Sequence, residues 1–311
     1  AGGSVTLTCS PVLTVSPSWL SPGVSVTLNC SVKDPSAGWR FYWYKAVPRL
    51  SDMHYFYHNR HPGWMNYHGV HDSYSYDLLP GSTNGTEQDS YIVDGQTHTA
   101  GYVCRAARGD PVFYTHYSEP KFVWSGDVHS LASLTVSPDG VQHFTSDSVL
   151  LSCEGNSTKW RVKSLPENSY WSYCSNWRRM TRSTCTIHRY RLSAAVFWCE
   201  SGSREFSNAV NITIQDHIIL VSPVHSVTEG ESVTLGCKCW TEKILSNVTF
   251  YKNDKLIQYD TRVDMKISAV SKSDEGFYRC EYSGNLSPQS WIQSSIVNMC
   301  FDYLALPDFI Q

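Results

Sequence analysis

The sequence predicts an all-β protein of three tandem sandwich domains, each made of two facing sheets, and three observations carry this prediction. Ser, Thr, Val and Tyr are abundant and helix-forming residues are sparse, which favours strands over helices. A phrase that alternates small or polar residues with aliphatic ones and ends on Cys occurs three times. After each copy, an aromatic residue stands two positions before a second Cys. Turn-forming residues between the two cysteines suit short antiparallel strands.

The first cysteine of each pair lies at the end of the repeated phrase. The three copies read GVSVTLNC at 23–30, SDSVLLSC at 146–153 and GESVTLGC at 230–237. The alternation has the period of a β-strand, with Val, Leu and Cys on the inward face. Each phrase is therefore interpreted as an early strand of one sandwich.

The second cysteine of each pair belongs to a late strand. The three segments are GYVC at 101–104, VFWC at 196–199 and DEGFYRC at 274–280. A bridge between an early and a late strand staples the two facing sheets through the core. The sequence therefore predicts three disulfides: Cys30–Cys104, Cys153–Cys199 and Cys237–Cys280.

Each of these disulfides should have an aromatic residue of the third strand packed on it. Trp43 serves the first unit, Trp160 the second and Phe250 the third. Since the cysteines, the strand pattern and the aromatic residue recur together, the repeat predicts three immunoglobulin-like domains.

The third unit also carries the tyrosine-corner pattern of immunoglobulin domains. Asp274-x-Gly276-x-Tyr278-x-Cys280 allows the phenol to bond back to the backbone of the preceding corner. Tyr102 holds the corresponding place in the first unit. In the second unit the place is taken by Phe197, which has no hydroxyl for this bond.

The domain boundaries follow from the repeat. Domain 1 covers 11–126, domain 2 covers 127–215 and domain 3 covers 216–298. Residues 1–10 contain GGSVTLTCS, which is either a duplicated strand phrase or the remnant of a preceding domain, and 299–311 form a tail.

The other cysteines leave alternatives open. Cys174 and Cys185 are 11 residues apart and are predicted to form a local disulfide, worth about 2–3 kcal/mol by loop entropy. Cys9, Cys239 and Cys300 are an odd remainder. A Cys239–Cys300 bond and an intermolecular bond through Cys9 or Cys300 are both compatible with the sequence.

Eleven cysteines together with Asn-x-Ser/Thr sequons favour an oxidising, secretory environment. The predicted glycosylation sites are Asn84, Asn156, Asn211 and Asn247. The sequence has no initial Met, no signal peptide and no apolar run near 18 residues, so the chain is interpreted as a mature ectodomain or a fragment.

The third unit resembles a known family. CKCWTEKILSNVTFYKNDKLIQY (237–259) with ISAVSKSDEGFYRC (267–280) resembles the membrane-proximal domain of mammalian IgG Fc receptors, and Fc receptor-like proteins of fish more closely. FSNAVNITI (206–214) is similar to the last strand of the same family. The resemblance implies an immune receptor ectodomain of C2-type domains, either anchored outside the plasma membrane by a segment absent from this chain or secreted. It further implies a protein ligand, with immunoglobulin Fc as the candidate, and signalling through parts absent here.

The resemblance also implies a binding residue. In Fc-binding members two tryptophans clamp a proline of the antibody, one of them three positions after the strand-B cysteine. Trp240 matches that position, while the linker at 216–224 contains no second tryptophan. Lys243, Tyr251 and Lys252 are expected on or near the same face. The competing interpretation of Trp240 is packing on the neighbouring domain.

An alternative function is cell adhesion through an RGD sequence. Arg108-Gly109-Asp110 begins four residues after Cys104, and is therefore expected in the turn that joins the last two strands of domain 1. An exposed hairpin tip could present Arg and Asp to an integrin. Gly and Asp are also ordinary turn residues.

The stretch MHYFYHNRHPGWMNYHGVH at 53–71 contains five histidines but is interpreted as an insertion at a sheet edge. The paired cysteines of domain 1 are 74 residues apart, against 46 and 43 in the other domains. The spacings of His54 with His58 and of His68 with His71 are not specific for a metal, and no Cys or acidic cluster accompanies them. No metal or cofactor is predicted.

Composition and motifs argue against two further classes of protein. A net charge of −3 provides no basic surface for nucleic acid. The sequence has no G-x-S-x-G, H-E-x-x-H, P-loop or G-x-G-x-x-G motif, so no catalytic residues are assigned.

Overall fold

A computed structural model describes residues 6–7, 10–21, 23–33, 38–49, 74–128, 131–166, 172–173, 183–188, 194–242, 244–260 and 262–295. These residues form strands joined by turns, with a 3-10 turn at Lys272–Asp274. The chain divides into two compact units, Ala1–Gln215 and Asp216–Gln311. The division coincides with the expected start of domain 3.

The first sandwich is built from strands of the first unit. They are β1 (Thr6–Leu7), β2 (Val12–Ser16), β3 (Val26–Ser31), β4 (Arg40–Pro48), β5 (Tyr74–Leu78), β6 (Ser90–Val93), β7 (Ala100–Arg108), β8 (Phe113–Thr115) and β9 (Lys121–Val123). One sheet has the order β2-β3-β6, and the other has the order β1-β8-β7-β4-β5, with β9 also paired to β7. β1 pairs in parallel with β8, so part of the 1–10 segment extends this sheet.

The second sandwich completes the first unit. Its strands are β10 (Ala132–Ser137), β11 (Gln142–Phe144), β12 (Ser148–Gly155), β13 (Trp160–Pro166), β14 (Ser172–Tyr173), β15 (Thr184–His188), β16 (Ala194–Ser201) and β17 (Phe206–Gln215). The sheets have the orders β10-β12-β15 and β11-β17-β16-β13-β14.

The third sandwich forms the second unit. Its strands are β18 (Ile218–Val221), β19 (Val227–Thr228), β20 (Val233–Cys239), β21 (Val248–Lys252), β22 (Lys255–Asp260), β23 (Asp264–Ile267), β24 (Gly276–Tyr282), β25 (Asn285–Leu286), β26 (Ser290–Ile292) and β27 (Ser294–Ser295). One sheet has the order β18-β20-β23, and the other has the order β22-β21-β24-β25 with β26 also on β24. β19 pairs with β27.

The cores are arranged as the alternating strand pattern predicts. Each sandwich contains its bridge between an early and a late strand: Cys30–Cys104, Cys153–Cys199 and Cys237–Cys280. The expected core aromatics are buried, namely Trp43, Trp160, Phe250, Tyr102, Phe197 and Tyr278. The prediction of an all-β fold of tandem immunoglobulin-like sandwiches is confirmed.

The two tyrosines at the corner positions bond differently. The Tyr278 hydroxyl donates to the carbonyl of Asp274 at 2.7 Å, which is the expected corner. The Tyr102 hydroxyl instead donates to Gln96 Oε1 at 3.0 Å. The backbone acceptor expected for Tyr102 is thus replaced by a side chain six residues upstream.

An aromatic cluster joins the two sandwiches of the first unit. Its members are buried and come from both sandwiches: Ala46, Tyr74, Phe122, Trp124, Trp198, Phe206 and Ala209. Phe122 stacks on Trp124 with ring centroids 5.0 Å apart, and Trp124 contacts Trp198 at 4.8 Å. Burial of several large aromatic side chains favours a fixed arrangement of the two sandwiches, because each ring removes a large apolar area from water.

A fully buried ion pair lies beside this cluster. Lys163 Nζ is 3.0 Å from Glu200 Oε1, and both side chains are completely inaccessible. Glu200 Oε1 also accepts hydrogen bonds from the Tyr74 hydroxyl at 2.6 Å and from Trp198 Nε1 at 3.1 Å. Lys163 Nζ donates to the Tyr74 hydroxyl at 2.7 Å. Burial lowers the pKa of Lys163 to about 8, and the Glu200 carboxylate opposes this shift.

Several sequence predictions fall on residues outside those described. They are the insertion 53–71, Lys243, Cys9, Cys174, Cys300 and the tail 299–311. Cys185 is disulfide-bonded. The boundaries between domains 1 and 2 and at both ends of the chain remain predictions.

Candidate functional site

Trp240 opens the loop between β20 and β21 of the third sandwich. Alternation along β20 buries Cys237 in the core and ends the strand at Cys239, so the next residue begins the loop. The Trp240 amide donates to the carbonyl of His217 at 2.9 Å, which fixes the backbone. The Trp240 side chain remains 52% exposed. An indole on a fixed backbone offers a rigid apolar surface.

The rest of this loop is tied to the end of β24. The Tyr282 hydroxyl donates to the Glu242 carboxylate, and this hydrogen bond raises the pKa of Tyr282. Ile244, two residues further along, is 88% exposed. The loop therefore presents Trp240 and Ile244 as apolar side chains, anchored through Glu242 to a strand of the sheet.

Cys239 carries a free thiol next to Trp240. Cys300, with which the sequence allowed a disulfide, lies outside the described residues. The Cys239 Sγ atom lies 3.3 Å from Thr241 Oγ1. Partial burial raises the pKa of this thiol, but hydrogen bonds from Thr241 and Glu242 outweigh burial, so the pKa lies below its ordinary value.

Tyr251 lies on the outer face of the sheet. Its hydroxyl donates to Glu281 Oε2 at 2.5 Å, and this hydrogen bond raises the pKa of Tyr251. The guanidinium of Arg279 lies 5.5 Å from the Tyr251 ring centroid. Tyr251 is therefore held by strand β24, which carries both of these partners.

Lys252 does not lie beside Trp240, contrary to the expectation of one shared face. The Lys252 Nζ atom donates to the Ser273 carbonyl at 2.5 Å, in the turn before β24. Gly230, which precedes β20, bonds to Val270 next to that same turn. Lys252 thus lies toward the beginning of β20, whereas Trp240 follows the end of β20. The alternation rule predicts which face a residue occupies but not which end of a strand a long side chain reaches.

The RGD sequence occupies the turn between β7 and β8, where the sequence places it. Arg108 is the last residue of β7, Gly109 has φ +92°, and both Gly109 and Asp110 are exposed. The Arg108 guanidinium lies 4.5 Å from the Trp39 ring centroid. The arginine therefore packs back on its own sandwich.

The four predicted glycosylation sites share one property, which is exposure: Asn84, Asn156, Asn211 and Asn247. Asn247 has φ +60° and is the last residue before β21, in the same loop as Trp240. A glycan at Asn247 would occupy space seven residues along the chain from the indole.

Sequence reasoning missed two groups of residues. One is the buried pair Lys163 and Glu200, which look like ordinary polar strand residues until the second sandwich meets the first. The other is Arg105 on β7, among tyrosines of the outer face. The alternation of Tyr42 and Tyr44 on the expected outer face of β4 was a signal for the second group.

Two features are absent from the described part of the chain. No group of three or more His, Cys, Asp and Glu side chains in those ranges could hold a metal ion. No helix among the described residues is long and apolar enough to cross a membrane.

Comparison with known proteins points to one family. Residues 217–295 match the family model of the immunoglobulin domain. The low affinity immunoglobulin gamma Fc region receptor II of Mus musculus is 26% identical over 157 residues, 49% of this chain and 46% of the receptor. Receptor II-b of Homo sapiens is 26% identical over 160 residues, 50% and 49% of the two chains. Fc receptor-like protein 5 of Homo sapiens is 28% identical over 138 residues, 44% of this chain and 14% of that protein.

Both kinds of relative carry Fc receptor names, and the matched domain is the one that holds Trp240. The third sandwich matches the immunoglobulin domain, and the chain is similar to Fc receptors and Fc receptor-like proteins. The resemblance found in the sequence is thereby confirmed, at low identity. The chain spans about half the length of the first curated relatives it matches, 46% and 49%.

Proposed function

We propose that the chain is the extracellular ligand-binding part of an immune cell-surface receptor of the Fc receptor-like type. It binds a protein ligand without catalysis, and immunoglobulin Fc is the candidate ligand. The names of the relatives support this proposal, since two of them are immunoglobulin gamma Fc region receptors. Exposed sequons and three disulfides agree with an extracellular or secreted location.

The observation that carries the proposal is the half-exposed indole of Trp240 on a fixed loop. Trp240 stands three positions after Cys237 of strand β20, and its side chain is 52% exposed. Tryptophan is enriched among residues that dominate binding energy, because one rigid side chain buries a large area at little entropic cost. Ile244 on the same loop adds apolar surface.

The test is the affinity of the full chain for purified immunoglobulin Fc, measured by surface plasmon resonance. Trp240→Ala should weaken binding by about thirtyfold or more, which corresponds to about 2 kcal/mol. Trp291→Ala is the matched control, because Trp291 is a 47% exposed tryptophan of the same sandwich on β26.

Three results separate the possibilities. Loss of binding in Trp240→Ala alone supports the proposal. Equal loss in both variants contradicts the role of the loop, because it indicates a general effect on the sandwich. No binding of Fc by the wild-type chain removes Fc as the ligand, whatever the variants do.

A second candidate function is adhesion through Arg108-Gly109-Asp110. The observation in its favour is the exposure of Gly109 and Asp110 in the β7–β8 turn. Arg108 would have to leave the Trp39 ring to reach an integrin. Adhesion of integrin-bearing cells to the immobilised chain tests this function, and adhesion that survives Asp110→Glu rules it out.

A further inference from the structure

The outer face of the β8-β7-β4-β5 sheet in the first sandwich carries an arginine among five tyrosines. We call this surface the tyrosine face, and its members are Tyr42, Tyr44, Tyr76, Arg105, Tyr114 and Tyr117. Tyr42 is the cross-strand neighbour of Arg105. Contacts between ring centroids connect the tyrosines: 5.5 Å for Tyr42–Tyr114, 5.2 Å for Tyr44–Tyr117 and 4.7 Å for Tyr76–Tyr117.

The arginine is held in place by these rings. The Arg105 guanidinium carbon lies 4.1 Å from the ring centroid of Tyr114, 5.1 Å from that of Tyr117 and 5.9 Å from that of Tyr44. Attraction between a cation and the ring faces fixes the position of the charge without neutralising it. A guanidinium placed in this way keeps its capacity to receive an anion.

Arg105 has no carboxylate partner among the described residues, and its buried Nε atom has no hydrogen-bond acceptor. Three other described arginines, two in the first unit and one in the second, do have such partners. Arg40 pairs with Glu87 at 3.4 Å, Arg204 with Asp77 at 3.4 Å and Arg279 with Asp254 at 2.9 Å. Arg105 is therefore held by tyrosine rings and not by a carboxylate of the described structure.

The chemistry of the face selects a small ligand with one carboxylate. A guanidinium binds a carboxylate through paired hydrogen bonds of matching geometry. The tyrosine rings offer flat apolar surfaces, and their hydroxyls offer donors and acceptors. A single fixed cation suits a ligand with a single negative charge.

The backbone argues for a sugar rather than a peptide as that ligand. β4 and β7 pair with each other from Arg40 to Ala46 and from Gly101 to Ala107, and they lie inside the sheet. Their backbone groups are used in the ladder, so a peptide main chain finds few partners on this face. A hydroxyl-rich ligand finds the phenol groups instead.

We propose that the tyrosine face binds a terminal carboxylate-bearing sugar of a glycan, with Arg105 receiving the carboxylate and Tyr42 and Tyr114 contacting the sugar ring. This site lies on the first sandwich and does not depend on immunoglobulin binding through Trp240. It would give the ectodomain a second ligand of a different chemical class.

The test uses the full chain and 3′-sialyllactose as the probe, with lactose as the uncharged control. Binding is followed by saturation-transfer NMR and titration. The wild-type chain should bind 3′-sialyllactose with at least about tenfold preference over lactose, because charge-assisted hydrogen bonds to arginine are lost with the carboxylate. The methyl ester of the probe should bind like lactose, and this comparison requires no variant.

Variants assign the binding to Arg105. Arg105→Ala should weaken binding of the probe by about tenfold or more. Arg279→Ala is the matched control, because Arg279 also lies on a late strand over a tyrosine ring but is paired with Asp254. Thermal unfolding of both variants shows whether the sandwich stays folded, and the ester comparison decides the question where Arg105→Ala does not fold.

The outcomes that overturn the proposal are specific. Equal binding of 3′-sialyllactose and its ester, or equal loss in the two arginine variants, shows that the Arg105 charge is not used. Binding of N-acetyl-glutamate N-methylamide as tight as that of 3′-sialyllactose shows that the face receives acidic side chains of proteins, not sugars.

Discussion

The outer faces of two corresponding sheets, one in each unit of the chain, differ in the burial and pairing of their charged side chains. In the first unit, one end of this face is covered by the second sandwich, which buries Lys163 against Glu200. The uncovered part holds Arg105 among tyrosines without a carboxylate. In the second unit, Arg279 also lies over a tyrosine, but Asp254 pairs with it in a partly exposed position.

This comparison shows that similar arrangements of a cation over a tyrosine ring leave the charge available to different extents. A charge that is paired on its own surface contributes modestly to stability and has little left for a ligand. A charge that is sealed between two sandwiches is costly unless its partner is present. A charge held only by ring faces remains available. The buried Lys163, the acid-paired Arg279 and the ring-held Arg105 should therefore respond differently to substitution.

The largest expected effect belongs to the sealed pair. Glu200→Ala leaves the Lys163 ammonium buried without its carboxylate, and should destabilise the first unit by about 3–5 kcal/mol. Hydrogen exchange of peptides from β13 and β16 under native conditions measures this change locally. Replacing both partners, as Lys163→Met with Glu200→Leu, should recover much of the loss. A destabilisation below about 1 kcal/mol in Glu200→Ala would show that water or rearrangement compensates the charge.

The second effect concerns the tyrosine corner of the second unit. Burial raises the pKa of Tyr278 to about 12, and the hydroxyl donates to the Asp274 carbonyl. Since the unfolded chain loses this proton near pH 10, the stabilisation is complete below pH 10 and is lost between about pH 10 and 12, to the extent of about 2–3 kcal/mol.

Tyr278→Phe provides the control for this pH dependence. The variant should be less stable at pH 7 by about 1 kcal/mol, because the hydrogen bond is gone. Its stability should then fall less steeply above pH 10 than that of the wild type, as measured by urea unfolding at a series of pH values. Parallel pH profiles for the two chains would contradict the assignment.

The smallest effect is expected for the partly exposed pair. Asp254→Ala removes the partner of Arg279, and should destabilise the second unit by about 0–1 kcal/mol, because solvent screens the charges. Thermal unfolding at low and at high salt measures this change, and the difference between wild type and variant should shrink in high salt. A loss as large as that of Glu200→Ala would remove the contrast between the two pairs.

The sequence was a good guide wherever the signal was local and periodic. Alternation predicted the strands that end on Cys30, Cys153 and Cys237, and the corner pattern predicted the hydrogen bond of Tyr278. The family motif drew attention to Trp240, which the structure places exposed at the end of β20. The role of Trp240 in binding stays a prediction.

The sequence was a poor guide wherever the answer depended on residues distant along the chain. Lys252 reaches Ser273 because the turn before β24 comes close to the end of β21 in space. Tyr102 finds the side chain of Gln96 rather than a backbone carbonyl. Cys239 remains a thiol, although its position next to a disulfide strand allowed a bond. Strand periodicity contains no information on such neighbours.

By itself, the sequence determined the all-β class, the three core disulfides and the buried aromatics, because period-two burial and paired cysteines are encoded within each strand. Only the tertiary structure decided which charges are sealed, paired or open. Lys163 and Glu200 lie on the paired strands β13 and β16 of the second sandwich, and packing against the first sandwich brings Tyr74 to them and buries their charges. Arg105 stays without a carboxylate because its strand neighbours are tyrosines. Electrostatic partnership depends on distance in space, which a linear pattern of residues does not specify.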